Sequence, residues 1–176
     1  MPPSQSEAPR ISWRTARLSE LVRIREIIVA AFENVTIYHT LEKRYGVMGE
    51  RPWQDWKAGQ IDRFFAEHPE WVHVAEVDGE IVAVVTFRLD RQCQIGTIGN
   101  NGVDPRYQGR GIGTAMYQHV LEIFRQAGMR YAEVETGLDE AAAPARRAYE
   151  KVGFRPLNTS VHYFQELDPP PTSSVG

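Results

Sequence analysis

One segment restricts the fold more than any other part of the chain: Val103-Asp104-Pro105-Arg106-Tyr107-Gln108-Gly109-Arg110-Gly111-Ile112-Gly113-Thr114. Before it, Thr97 to Val103 predicts a strand. After it, Ile112, Ala115, Met116, His119, Val120, Ile123 and Phe124 recur at helical spacing, with a stop near Gly128. A strand must therefore feed a helix through a turn whose glycines, at 109, 111 and 113, leave the backbone bare. The first N–H groups of a helix lack intrahelical acceptors and lie at the positive end of its dipole. Bare backbone beside such a helix start suits a phosphate. The candidate cradle is Gln108, Gly109, Arg110, Gly111, Ile112, Gly113 and Thr114, with Arg106 and Arg110 adding positive charge. Familiar phosphate loops do not match. Dinucleotide-binding turns and protein-kinase loops need GxGxxG, and from Gly109 the last glycine would fall at Thr114; no Gly-Lys-Ser/Thr ends the loop.

The rest of the pattern predicts a mixed α/β domain. Ile11 to Ala16 is expected as a strand. Ser19 then caps a helix carrying Leu21, Ile24, Ile28, Ala31 and Phe32. Residues 33–52 are expected to be loop-rich, broken by Gly46, Gly49 and Pro52. Trp53 to Glu67 predicts a helix that Pro69 stops. Trp71–Val77 and Ile81–Leu89 predict strands joined at Asp78-Gly79, a dipeptide suited to a turn with two positive φ angles. A bulge or splay is expected near Asn100 to Gly102. Tyr131–Thr136 predicts a strand, Ala141–Val152 a helix ending at Gly153, and Phe154–Leu157 with Ser160–Leu167 the final strands. Hairpins in the middle and crossovers at both ends give a mixed sheet of about seven strands flanked by about four helices. The ends, 1–10 and 168–176, are rich in Pro and Ser and are expected as tails. One domain then spans 11–167.

Composition removes several function classes. Lys plus Arg number 20 against 23 Asp plus Glu, for a net charge of -3, which gives no support to bulk binding of nucleic acid or an anionic membrane. The single cysteine, Cys93, excludes an internal disulfide, a Cys-based zinc ribbon and a CxxC redox site. No apolar run approaches the ~18 residues of a membrane span, and the first ten residues carry no apolar signal core. A cytoplasmic protein is expected. The histidine spacing matches no metal site, so no metal is expected. His73, His119 and His162 are expected to be structural polar residues.

The chemistry-bearing segment resembles the GNAT superfamily of acetyl-CoA-dependent N-acetyltransferases. The family's loop, Gln/Arg-x-x-Gly-x-Gly/Ala after Val-x-Pro, is matched by Gln108, Gly111 and Gly113 after Val103 and Pro105. Downstream, Ala145-Arg146-Arg147-Ala148-Tyr149-Glu150-Lys151-Val152-Gly153-Phe154 resembles the family's Ala-x-x-x-Tyr-Glu-Lys-x-Gly-Phe signature. The order of elements agrees from Ile11 to Leu167. One position departs: seven residues before the tyrosine the family often has a cofactor-contacting Asn, where this chain has Ala142.

The resemblance implies two central parallel strands, Thr97–Val103 and Tyr131–Thr136, splayed to admit the pantetheine arm of acetyl-CoA. It implies pyrophosphate on backbone N–H groups from Gln108 to Thr114, and a backbone oxyanion-hole role at Val103. The implied reaction is direct attack of a primary amine, whose ammonium has a pKa near ~10 and must lose a proton. Tyr149 is implied as the acid that protonates the departing thiolate. Glu135 and Glu133, alternating on one strand face, are candidates for the base. His39 lies in the segment that in this family covers the acceptor. The acceptor is expected to be a small-molecule amine. A protein N-terminus or lysine is the alternative, and a non-catalytic acetyl-CoA-binding module is a third reading. A homodimer is the family's habit, with the last strands as its interface.

Overall fold

Apolar residues concentrated in the middle of the chain build one sheet. The computed structural model describes residues 10–167. Its strands are β1 (Ser12–Thr15), β2 (Val72–Val77), β3 (Glu80–Asp90), β4 (Ile95–Val103) and β5 (Tyr131–Val134), in that spatial order. The first four are antiparallel neighbours, and β4–β5 is parallel. The helices are α1 (Leu21–Phe32), α2 (Ile37–Tyr45), α3 (Trp53–Glu67), α4 (Ile112–Gln126) and α5 (Ala143–Lys151). Asp78 and Gly79 both have positive φ, 52° and 79°, and close the β2–β3 hairpin as the sequence predicts.

Each sheet face carries one half of the core. Ile24, Ile27 and Ile28 of α1 and Ile61, Phe64 and Phe65 of α3 cover Val72, Val74 and Val84. Ile112, Met116, Val120 and Phe124 of α4 and Tyr149 of α5 cover Ala75, Val85, Phe87 and Ile98. Each fully buried side chain of this size contributes about 1.5–3 kcal/mol, so the sheet is fixed between two helical layers.

Three expectations need correction. The 33–52 segment holds α2, because the glycines that suggested a loop follow the helix: Gly46, at φ 81°, ends it. Its Glu42 carboxylate accepts the Trp53 N–H at 2.6 Å and so starts α3. The sheet has five strands among the described residues, not seven. Phe154–Leu157 and Ser160–Leu167 form no ladder. Phe154 packs on the Tyr149 ring and Phe164 on Tyr45, while Leu157, Val161 and Tyr163 stay exposed. Apolar residues here serve helix contacts, and Pro156 lacks a ladder donor. Ser19 does not cap α1; it lies within a 3-10 turn, Leu18–Glu20, and Glu20 accepts the Arg17 N–H at 2.8 Å.

His119 of α4 stacks on Trp13 at 4.9 Å, and its Nε2 lies 2.9 Å from Nδ1 of His73 on β2. One ring donates and the other accepts, and burial disfavours a charge on either. Burial, with His119 beside it, pushes His73 from 6.5 down to about 4. The unfolded chain therefore takes up a proton near pH 6.5 that the folded chain refuses until about 4. This contribution to stability is complete above about pH 6.5 and is lost as pH falls toward 4. Urea unfolding at pH 7 and pH 5 checks it: the midpoint drops at pH 5, and His73→Gln narrows the difference. An equal drop in the variant removes His73 as the cause.

Candidate active site

The parallel pair β4–β5 separates partway along its length. Pairing runs from Ile95↔Tyr131 to Ile98↔Val134 and stops, while β4 continues to Val103. Opposite β3, the register slips: Val85 faces Asn101 and Phe87 faces Ile98, so Gly99 and Asn100 together oppose Thr86. This is a bulge at the point where the strands part. Beyond it, Asp104 N–H donates to Val82 O at 2.8 Å. That bond makes Ala83–Val103 a non-hydrogen-bonded pair, so the Val103 N–H and C=O point away from β3 into the split. By the same alternation Asn101 does likewise. The bulge and splay expected near Asn100 are present, and backbone polar groups line the opening.

The glycine turn leads from that opening to α4. Asp104, buried, accepts the Arg106 N–H at 2.9 Å and holds the 3-10 turn Pro105–Tyr107. The Arg106 and Arg23 guanidiniums keep its carboxyl well below the usual carboxylate range. Arg106 also pairs with Glu80, so its charge is committed to the fold rather than free for a ligand. Gly111 is the N-cap of α4, at φ 79°, a left-handed conformation with no side-chain cap over the first turn. A Cβ at Gly109 or Gly111 would meet nothing within 4 Å. Gln108 Nε2 donates to Val103 O at 3.2 Å, tying the turn to the split, and exposed Arg110 lies over Tyr107. The turn thus joins open space with uncapped N–H groups, which is what an anion requires.

Two tyrosines meet at the split. Tyr149, 6% exposed, lies against Tyr117 of α4 with ring centroids 4.5 Å apart. Asn101 connects their hydroxyls. Its Oδ1 accepts from the Tyr117 hydroxyl at 2.9 Å, and its Nδ2 donates to Gly99 O at 2.9 Å and to the Tyr149 oxygen at 3.3 Å. Tyr149 therefore accepts from Asn101 and keeps its own proton available to donate elsewhere. Burial pushes the Tyr117 hydroxyl up, so it stays a neutral donor. Tyr117 was not singled out by the sequence, where it reads as one more residue of an amphipathic helix. Only the bulge, which brings Asn101 to the α4 side, exposes its part.

The opposite face of the sheet carries a groove of about 390 Å³ between α3 and the β3–β4 surface. Gln60, Arg63, Phe64 and Glu67 form one stripe of α3, facing Thr86 and Arg88 of β3 and Thr97, Gly99 and Asn100 of β4. Glu133 of β5 joins its edge, accepting from the Thr97 hydroxyl at 2.8 Å. Glu135 lies just past the end of β5 and is exposed, so the expected strand is shorter than Tyr131–Thr136.

Other candidates have structural duties. His39 stacks on Trp53 at 4.6 Å and bonds the Glu33 carbonyl. Ala142 is buried at the start of α5, and its N–H donates to Asp139 Oδ1 at 3.0 Å; no side chain there reaches outward. Arg146 donates to the carbonyls of Gly137 and Asp139, both at 2.7 Å, and so clamps that loop. Asp90 raises the exposed Cys93 thiol, which keeps it protonated. Among the described residues, no cluster of three or more His, Cys, Asp or Glu could hold a metal ion. No helix there is long and apolar enough to cross a membrane.

Known proteins share this arrangement. The model of the acetyltransferase (GNAT) family matches residues 23–154. N-acetylaspartate synthetase of Rattus norvegicus is 30% identical over 104 residues, which cover 58% of this chain and 34% of that protein. N-alpha-acetyltransferase RimI of Mycobacterium tuberculosis is 41% identical over 64 residues, 36% of this chain and 37% of that one. The matched parts are thus little more than a third of those curated relatives. A crystal structure of a GNAT family acetyltransferase from Brucella melitensis in complex with acetyl-CoA superposes with a TM-score of 0.59 at 23% identity, covering 84% of each chain. The split sheet, the glycine turn and the family match agree: the chain belongs to the GNAT acetyltransferase family.

Proposed function

We propose that this chain transfers acetyl from acetyl-CoA to the primary amine of a small molecule by direct attack. The observation that carries the reading is the split after Ile98↔Val134, with the glycine turn at one end and the Tyr149 hydroxyl on its rim. Bound acetyl-CoA supplies an activated thioester. Backbone N–H groups from Gln108 to Thr114 receive the pyrophosphate, with Gly109 and Gly111 leaving room and Arg110, Ile112 and Gly113 framing the turn. The Val103 N–H polarises the thioester carbonyl. Tyr149, held by Asn101, gives its proton to the departing sulfur. Glu133 and Glu135, on the groove side of β5 and just beyond it, draw the amine's proton through water. A relative named for N-acetylaspartate supports a small acceptor. A cytoplasmic site of action accords with the single thiol Cys93.

A thermal-shift titration tests the cosubstrate. A ligand that binds only the folded state stabilises it by RT ln(1 + [L]/Kd). The expected result is a saturable rise with acetyl-CoA and CoA, absent with ATP and NADH, followed by free-thiol release when an amine is added. No shift at millimolar acetyl-CoA overturns the reading.

A further inference from the structure

The groove under α3 has an unusual charge balance. Lys57 of α3 is buried, at 5% exposure, with no carboxylate partner among the described residues. Its Nζ donates to Asn100 Oδ1 at 2.6 Å and Gln60 Oε1 at 3.1 Å, both groove-lining residues, and sits 3.4 Å from the centre of the Phe32 ring. Burying a cation without a counter-ion is costly. Burial draws its pKa from 10.5 down to about 8. Two more cations, Arg63 and Arg88, line the groove itself, and neither makes an ion pair among the described residues. Arg88 is set over the Phe64 ring at 4.7 Å, which fixes its position without neutralising it. Against these three cations the walls offer Glu67, one helical turn from Arg63, and Glu133 at the β5 edge.

A second observation is independent of charge. Thr86 is fully buried, and its hydroxyl is the one buried side-chain polar atom among the described residues without a hydrogen-bond partner. It lines this groove, opposite the bulge. A Cβ at Gly99 would come within 2.6 Å of that hydroxyl, so only glycine at 99 leaves it clear. A buried unpaired hydroxyl costs free energy unless a ligand or water satisfies it.

We infer that the acceptor is an amino acid with an acidic side chain, its carboxylates held by Arg63 and Arg88 with Thr86, the charge of Lys57 lying behind Gln60 and Asn100, and its amine directed along the groove to the split. The inference rests on the transferase reading above and adds the substrate class. The dimensions agree. Thr97 to Asn100 is three residues, roughly 10 Å of strand, which matches an amino dicarboxylate and leaves no need for a longer chain. The polarity agrees too. Glu133 marks the β5 edge, where an ammonium group would arrive, and the cations lie on the α3 and β3 sides. A bound carboxylate also favours charged Lys57, whose partners at present are neutral amides.

The experiment measures thiol release from acetyl-CoA with L-aspartate and L-glutamate against asparagine, glutamine, putrescine and a peptide beginning with glutamate. The acidic amino acids are expected to exceed every other acceptor in kcat/KM by at least fivefold. Arg63→Gln and Arg88→Gln are each expected to raise their KM about fivefold or more, with the acetyl-CoA thermal shift retained. Both side chains are exposed, so neither change threatens the fold. Calorimetry of glutamate against CoA-loaded protein gives a second readout. Preference for putrescine, for the amides or for the peptide overturns the inference, as does unchanged KM in both variants or absence of glutamate binding. Those results leave acetyl-CoA binding intact. A protein that shows no acetyl-CoA shift fails one step earlier, at the transferase reading.

Discussion

Replacing Tyr149 with phenylalanine is expected to lower kcat by tenfold or more while acetyl-CoA binding persists. The hydroxyl is the only thing removed. The ring still packs on Tyr117 and on Phe154, whose centroids lie 4.5 Å and 5.9 Å away. Asn101 loses its 3.3 Å bond to the Tyr149 oxygen but keeps Gly99 O and the Tyr117 hydroxyl, so the rim of the split stays in register. The stability cost is that of one neutral hydrogen bond, about 1 kcal/mol. The rate effect is larger because a thiolate that leaves without a proton donor departs at a higher barrier, and general acid catalysis is worth about 10²–10⁴-fold. Stopped-flow thiol release with a thermal-shift control separates the two contributions. A turnover equal to the wild type removes Tyr149 from the chemistry.

The parts of this site that were legible in the sequence are those made by local backbone. Gly109, Gly111 and Gly113 announce a helix start that cannot be capped by side chains, and Asp78-Gly79 announces its hairpin. Tyr149 was visible only through its motif, since periodicity alone puts it in a helix core, where it also sits. What the sequence hides is set by register. A single slipped pair opposite Thr86 sends Asn100 toward Lys57 and Asn101 toward the two tyrosines. No pattern of residue types foretells that division. Lys57 reads as a solvated helix lysine until Phe32 and Asn100 are seen to enclose it. The final apolar stretches illustrate the converse. Phe154 and Phe164 have strand-like surroundings in sequence, yet their rings pack on Tyr149 and Tyr45, and among the described residues no strand pairs with the free edge of β5.

Gly111→Val is expected to weaken acetyl-CoA binding about tenfold or more, whereas Gly113→Ala retains it. The two glycines differ in conformation. Gly111 is left-handed at φ 79°, and a β-branched residue is strained there by about 1–2 kcal/mol or more. Relief of that strain rotates the backbone and turns the first N–H groups of α4 away from a common point. Nothing in the protein lies within 4 Å of a Cβ at 111, so the side chain enters only the space reserved for the ligand. The part of α4 that packs in the core begins at Ile112 and is untouched. Gly113 is inside the helix, and its Cβ would make an ordinary 4.0 Å contact with the Val103 side chain. Alanine at this first-turn position gains helix propensity, at most about 1 kcal/mol relative to glycine. In the absence of ligand, Gly113→Ala therefore melts at or above the wild-type temperature. With acetyl-CoA in excess it gains the wild-type increment, whereas Gly111→Val loses about 1.4 kcal/mol of that increment for each tenfold in Kd. If both variants bind acetyl-CoA as the wild type does, the helix start is not the phosphate site, and the affinity must come from the split between β4 and β5 alone.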